Sequence, residues 1–327
     1  MKRIQQLLGR LKPMATVLAA VPLIAHAWTD KPVRVIVPAP AGGTMDVAAR
    51  ILSEAVSAEI GQPVIVDNKP GAAGAIGIQA LLNAPADGQT IMFMVSNILT
   101  EIPLVMKTSF DPVKDLKPVT MVGRSTMVLV GAPTVPANDL KGLVDYLRTG
   151  KGAPASYASY SAGTSSHYAG AIFARKTGLD LQHVPFAGSP PALQNLMGGQ
   201  VDIMFDGMVT SLPMIKAGKL KAFGVGYGER LPQLPGVPTM AEQGFPEIDF
   251  SNWAGAIVSS RMPDATVRKI NAVLMKAAAS PKVREKLAAQ NFVPAISESP
   301  EQLARLTRDE YERNAQIVKT YNIQLNQ

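Results

Sequence analysis

No cysteine occurs anywhere in the 327 residues, which excludes a disulfide framework, a thiolate nucleophile and any cysteine-based metal site. A chain of this size manages without disulfides because its core is large enough. Histidine is scarce, at three residues, and no spaced His/Asp/Glu set suggests a catalytic metal. After residue 27 there is no apolar run long enough to span a bilayer. Basic clusters interleaved with aromatics are missing too, so nucleic acid is not an expected partner. The formal charge of +7 includes four basic residues near the start, Lys2, Arg3, Arg10 and Lys12. With these set aside, 28 basic residues stand against 25 acidic, a weak excess of +3.

What is present begins with a basic segment, an apolar segment too short to span a membrane stably and the small-x-small triplet Ala25-His26-Ala27. That is the layout of a secretory signal peptide, with cleavage expected after Ala27 and an exported, soluble product. The remaining 300 residues suggest two domains. "VRVIV" from Val33 reads as a buried strand, and Val47, Ile51, Leu52, Ala55 and Ile60 then recur at helical spacing up to Gly61. "PVIV", a helix from about Ile76 to Asn83, and "TIMFMV" continue the alternation. Strands alternating with helices imply a parallel sheet covered on both faces. The theme returns with a strand ending near Ser159, a helix stopping at Gly178, and strands at "LQHVPF", "VDIMF" and "LKAFGVG". The tail reads as helices starting at Pro263-Asp264 and Ser280-Pro281, and a last one with a capping box at Ser299 to Gln302.

Two loops stand out. "PAPAGGTMD" places adjacent glycines where a strand hands over to a helix, and "AGTSS" at Ala162 to Ser166 repeats the pairing of glycine with hydroxyls about 120 residues later. Glycine allows a sharp turn and close approach to the main chain, and the first amides of a helix are free to bind an anion. Two such helix starts on facing lobes would clamp a ligand from both sides. "GAAGAIG" lacks the glycine spacing of a dinucleotide fingerprint. Met92, Met94, Met197, Met204 and Met208 read as core filler.

The order "KPVRVIVPAPAGGTMDVAARILSEAV…DNKPGAAGAIG", "ADGQTI", "SSHYAGAIF", "HVPFAGSPPALQNLMGGQVDIMFD" and "LPGVPTMAEQGFP" resembles the Bug/TctC family over nearly the whole chain. These are periplasmic solute-binding proteins of tripartite tricarboxylate transporters. The resemblance implies an α/β, two-lobe periplasmic-binding-protein fold of type II, with a carboxylate-bearing small molecule held in the cleft. It also implies membrane permease subunits as partners, no cofactor and a monomer. The lobe boundaries are expected at residues 28–124, 125–251 and a return over 252–327, after a 1–27 signal peptide. Carried onto this chain, the first grip is Ala41, Gly42, Gly43, Thr44 and Asp46, with Gly74 and Ala75 nearby. The second grip is Ser161, Thr164, Ser165 and His167, with Asp206 close to the cleft. Ala41, Met45, Phe186 and Ala187 depart from the family pattern, and the last two would favour an apolar or aromatic ligand body if they line the pocket.

Blander roles stand beside these. Asp46 complements the helix dipole as readily as it binds ligand, Thr44 caps its helix or contacts ligand, and one of Ser165 and Ser166 caps while the other faces the cleft. His167 is as much a packed residue as a contact, and Trp253 seals the domain junction rather than stacking on a ligand. A hydrolase built on Ser165 or Ser166, His167 and Asp206 is the rival class, but there is no G-x-S-x-G elbow. A ligand-sensing partner of a membrane receptor would use the same fold.

Overall fold

The computed structural model describes residues 28–149 and 154–324, so the expected signal peptide lies outside the described residues. The chain starts with β1 (Val33–Val37), α1 (Thr44–Ile60), β2 (Val64–Asn68), α2 (Ala75–Asn83), β3 (Thr90–Val95), the single turns α3 (Asn97–Thr100) and α4 (Ile102–Val105), and β4 (Leu116–Ser125). It then crosses into β5 (Met127–Gly131), α5 (Leu140–Thr149), β6 (Ser156–Ser159), α6 (Ser165–Thr177), β7 (Gln182–Pro185), α7 (Ser189–Met197), β8 (Ile203–Gly207), α8 (Met208–Lys216) and β9 (Lys221–Gly226). It returns through β10 (Trp253–Ser259), α9 (Asp264–Ala279), α10 (Pro281–Ala289), β11 (Phe292–Pro294) and α11 (Pro300–Tyr321).

Two sheets result, ordered β11-β4-β10-β3-β1-β2 and β7-β6-β8-β5-β9. Neither is wholly parallel, contrary to the sequence expectation. β1 pairs in parallel with β2 and β3, and β6 with β7 and β8, but β10 runs antiparallel to β3 and β4, and β5 to β8 and β9. The reason is the path of the chain. β5 and β10 are the first strands after each crossing between lobes, so they enter their sheets at the end where β1, β3, β6 and β8 leave. A strand entering at the shared end must run against its neighbours. The loops after the parallel strands of both lobes therefore face one another, which is where open α/β sheets bind ligands.

Each lobe has its own apolar interior. Met204 and Met208 lie in the second lobe's core and Met92 and Met94 in the first's, with Met197 packed at the edge. Trp253, the first residue of β10 after the chain returns, is fully buried with the first lobe's core cluster. α1 ends as its periodicity predicts, on Gly61 in the left-handed region at φ 68°. At α11, Ser299 Oγ accepts from Gln302 N, but Gln302 Oε1 accepts from Glu298 N, one residue earlier than a capping box requires. Leu303 of α11 packs in the first lobe, while Ile317, Val318 and Tyr321 pack on the second, so this helix straps the two lobes together.

Candidate functional site

A cavity of about 270 Å³ lies between the lobes, walled by loops that follow β1, β2, β3, β6, β7 and β8. The two glycine loops have the same turn, with Gly42 at φ 78° and Gly163 at φ 76°, a region that non-glycine residues rarely enter. The lobes touch across the cavity. A Cβ at Gly207 of the second lobe would stand 2.8 Å from Thr44 Oγ1 of the first, and one at Gly188 would stand 2.5 Å from Pro40 Cγ.

Gly43, Thr44, Gly74, Ser161, Thr164 and Phe186 line this cavity, together with Met45 and Ala187. Ala41, Gly42 and Ala75 flank lining residues without lining it themselves. Asp46, Ser165, His167 and Asp206 stand one layer behind, each tied to protein groups. Asp46 Oδ2 accepts from Gly42 N and Arg50 Nε at 2.9 Å each, and Oδ1 from Asn68 Nδ2 at 3.0 Å. Its carboxyl sits below the usual range: burial pushes it up, but the hydrogen bonds from Arg50, Gly42 and Asn68 outweigh this. Asp46 thus holds the first glycine turn in shape. Asp206 accepts from Ser189 Oγ (2.6 Å), Thr210 Oγ1 (2.6 Å) and Ser211 Oγ (2.7 Å). Burial pushes its carboxyl up while those hydroxyls pull the other way.

Neither Ser165 nor Ser166 caps its helix or faces the cavity. Ser166 Oγ donates to Phe205 O, and Ser165 Oγ lies 2.7 Å from both carboxyl oxygens of Glu101 while accepting from Asn252 Nδ2. The N-cap is Thr164, whose hydroxyl donates backwards to Ser161 O at 2.6 Å. Thr44 is likewise inside α1 rather than its cap. His167 Nδ1 accepts from Gly163 N at 3.2 Å, and its ring stacks on His183 with centroids 4.1 Å apart and planes 6° apart. Burial pushes the two imidazoles down, to about 4 for His167 and about 3 for His183. His167 is a neutral, packed residue that shapes the second glycine turn.

The electrostatics of the cavity come from the backbone. α1, α6, α7 and α8 begin at its wall, beside Thr44, Thr164, Ser189 and Gly207, and in none does the side chain of the N-cap residue itself cap the helix. Two helices remote from it, α10 and α11, are capped by Ser280 and Ser299. The first amides of a helix need partners. α1 leaves those of its first turn open, whereas α6 gives Ser165 N to the Glu101 carboxyl and Ser166 N to Tyr160, α8 gives Met208 N to Thr126 O, and Pro190 and Pro191 leave α7 only Ser189 N. All four turn the positive ends of their dipoles to one space. Among the described residues, no Asp, Glu, Lys, Arg or His lines that space. Behind Ser165 and Asn252 stands Glu101, fully buried, which desolvation pushes up to about 7.

Sequence reasoning missed Asn97, Ser125, Thr126, Tyr160, Ser189 and Asn252, all of which line the cavity. Tyr160 and Ser189 adjoin the residues that drew attention. Asn97, Thr126 and Asn252 sit at the strand crossings, where Ser96 N donates to Trp253 O and Ser125 N to Asn252 O. No local pattern marks such a place.

The sequence model described as "Tripartite tricarboxylate transporter family receptor" matches residues 48–323. The chain belongs to this family. Among its relatives, Protein BugT of Bordetella pertussis is 33% identical over 308 residues, covering 94% of each chain. The solved structure of the periplasmic binding protein BugD superposes with a TM-score of 0.84 at 29% identity, covering 90% of this chain and 99% of BugD. The R. palustris protein Rpa4515, solved with adipate, gives a TM-score of 0.86 at 28% identity, covering 91% and 99%. The two-lobe α/β arrangement of this receptor family is therefore also the arrangement here.

Proposed function

We propose that the chain is an exported receptor that captures a small carboxylate-bearing molecule between its lobes and delivers it to the permease subunits of a tripartite tricarboxylate-type transporter. The observation that carries this reading is the meeting of four helix N-termini, with the first amides of α1 open, around a cavity without charged side chains. A carboxylate placed there is met by backbone amides, hydroxyls and dipoles instead of by an ion pair. A ligand that touches both lobes binds the closed arrangement better than the open one and so stabilises closure. The adipate bound by the related Rpa4515 is in keeping with this chemistry.

Met45, Phe186 and Ala187 in the wall favour an apolar or aromatic ligand body. The hydrolase reading loses its support, because the Ser165 hydroxyl is engaged by Glu101 and the His167 ring is engaged by Gly163 and His183. The test is a thermal-shift screen of ligand-stripped protein lacking residues 1–27 against aliphatic and aromatic mono-, di- and tricarboxylates, with neutral compounds alongside. A ligand that binds only the folded state raises the melting point by mass action. A shift confined to acids supports the reading, and shifts with neutral compounds alone overturn it.

A further inference from the structure

The cavity holds two polar side chains that the protein itself leaves without partners. Asn97 is 2% exposed and Thr126 is 2% exposed, both line the cavity, and Asn97 Oδ1 and Thr126 Oγ1 have no hydrogen-bond partner. Neither side chain makes any other hydrogen bond within the described chain. Buried polar atoms are almost always paired, and leaving one unpaired is costly. Val95, Ile98, Ile102, Met127 and Phe250 line the same cavity. Both residues follow directly on the backbone bonds that tie the strand crossings together, so they belong to the floor of the cleft.

We infer that Asn97 and Thr126 select a carboxylate that carries, in addition, an uncharged hydrogen-bonding group such as a hydroxyl, which reaches the cleft floor. This inference rests on the carboxylate reading above and narrows it. An amide and a hydroxyl each both donate and accept, so a neutral hydroxyl on the ligand satisfies them. A second ionised carboxylate fits less well, because no cation lines the cavity and Glu101 stands behind Asn252 through Ser165. A plain hydrocarbon end leaves both side chains unpaired, and sites built for a hydrogen bond discriminate strongly against analogues that lack it.

The experiment compares matched series by calorimetry on ligand-stripped protein: hexanoate, 6-hydroxyhexanoate and adipate, then benzoate, 4-hydroxybenzoate and terephthalate, each also as its neutral amide. The variants are Asn97→Leu and Thr126→Val, close to isosteric. The expected result is that, in at least one series, the hydroxy acid binds about tenfold or more tightly than both the plain acid and the diacid, and that Asn97→Leu or Thr126→Val removes the margin over the plain acid. Ligand-free Asn97→Leu should melt no lower than the native protein, since it loses no partner. Equal or tighter binding of the plain acid or diacid overturns the inference while leaving the carboxylate reading in place. So does a margin that survives both substitutions, or an Asn97→Leu melting point several degrees lower. Binding of the amides with the same Asn97-dependent margin, but not of the acids, overturns the carboxylate reading and upholds the role of the cleft floor. No binding by any member overturns both.

Discussion

Thr44 and Ser165 occupy matching places in the two glycine loops, yet their hydroxyls do different work. Thr44 lines the cavity, whereas Ser165 is buried against Glu101 and Asn252. Thr44→Ala should weaken carboxylate binding by about 1 kcal/mol, the worth of one hydrogen bond, with little change in melting point. Ser165→Ala should instead cost roughly 1 to 3 kcal/mol of stability, because it strips a donor from a buried carboxyl. Calorimetry and chemical denaturation on both variants separate the two effects, and an unchanged affinity in Thr44→Ala would remove that hydroxyl from the site. Glu101 gives a pH signature. Its carboxyl is raised from 4.5 to about 7 by burial, with Glu310 adding repulsion and Tyr160 and Tyr168 close by. A folded-state value above the unfolded one means stability that is fully present below pH 4.5 and is lost as pH rises toward 7. The loss is about 3 kcal/mol for a shift of this size. Glu101→Gln should remove that part of the slope in denaturation curves taken from pH 4.5 to 8, and an identical slope in the variant would show that Glu101 titrates normally.

Helix starts are the elements on which binding turns, and their amides can be blocked without altering the fold. Gly43, the N-cap of α1, has an extended backbone at φ −78° and ψ 169°, and a Cβ there meets nothing closer than Pro40 O at 3.4 Å. Gly43→Asp should therefore fold, cap α1 with its own carboxylate and hold or raise the melting point. Carboxylate binding should fall by about tenfold or more, since the new anion takes the amides and repels the ligand. Binding at native strength in that variant would show that the α1 N-terminus does not hold the anion. Much at this scale was legible in the sequence. Val47, Ile51, Leu52 and Ala55 gave α1 its period and Gly61 its end, because helix faces and terminators are local properties. The glycine loops were legible for the same reason. Less legible was which of their residues reach the ligand: Asp46, Ser165, His167 and Asp206 sit a layer back because partners 4 to 87 residues away, such as Arg50, Asn252, Gly163 and Ser189, claim their polar atoms. Asn97 and Thr126 carry no signal at all, since their place depends on two strand crossings that bring distant segments together.

Across the whole molecule, the same crossings that set β5 and β10 antiparallel also make the lobes separable bodies joined at the cleft floor. Periodicity could place the strands but not their direction, which follows from where the chain enters each lobe. α11 is a further link: Glu310 pairs with Arg124 at 3.2 Å and Asn314 Nδ2 donates to Thr100 O in the first lobe, while Arg175 of the second donates to Tyr321 O. A strap at both ends limits how far the lobes move, so small changes at their contact should be felt at the ligand. The contact to test is Gly207 against Thr44, where an added Cβ would lie 2.8 Å from Oγ1. Gly207 has an ordinary φ of −67°, so Gly207→Ala strains no backbone and acts only when the lobes meet. It should weaken binding roughly tenfold by penalising the closed state alone, with the melting point of the ligand-free protein little changed. Combined with Thr44→Ala, which removes the atom it meets, the two losses should fall short of additive, as expected for residues in contact. Strict additivity in that cycle, measured with the acid giving the largest thermal shift, would mean that the lobes do not close onto this contact when ligand binds.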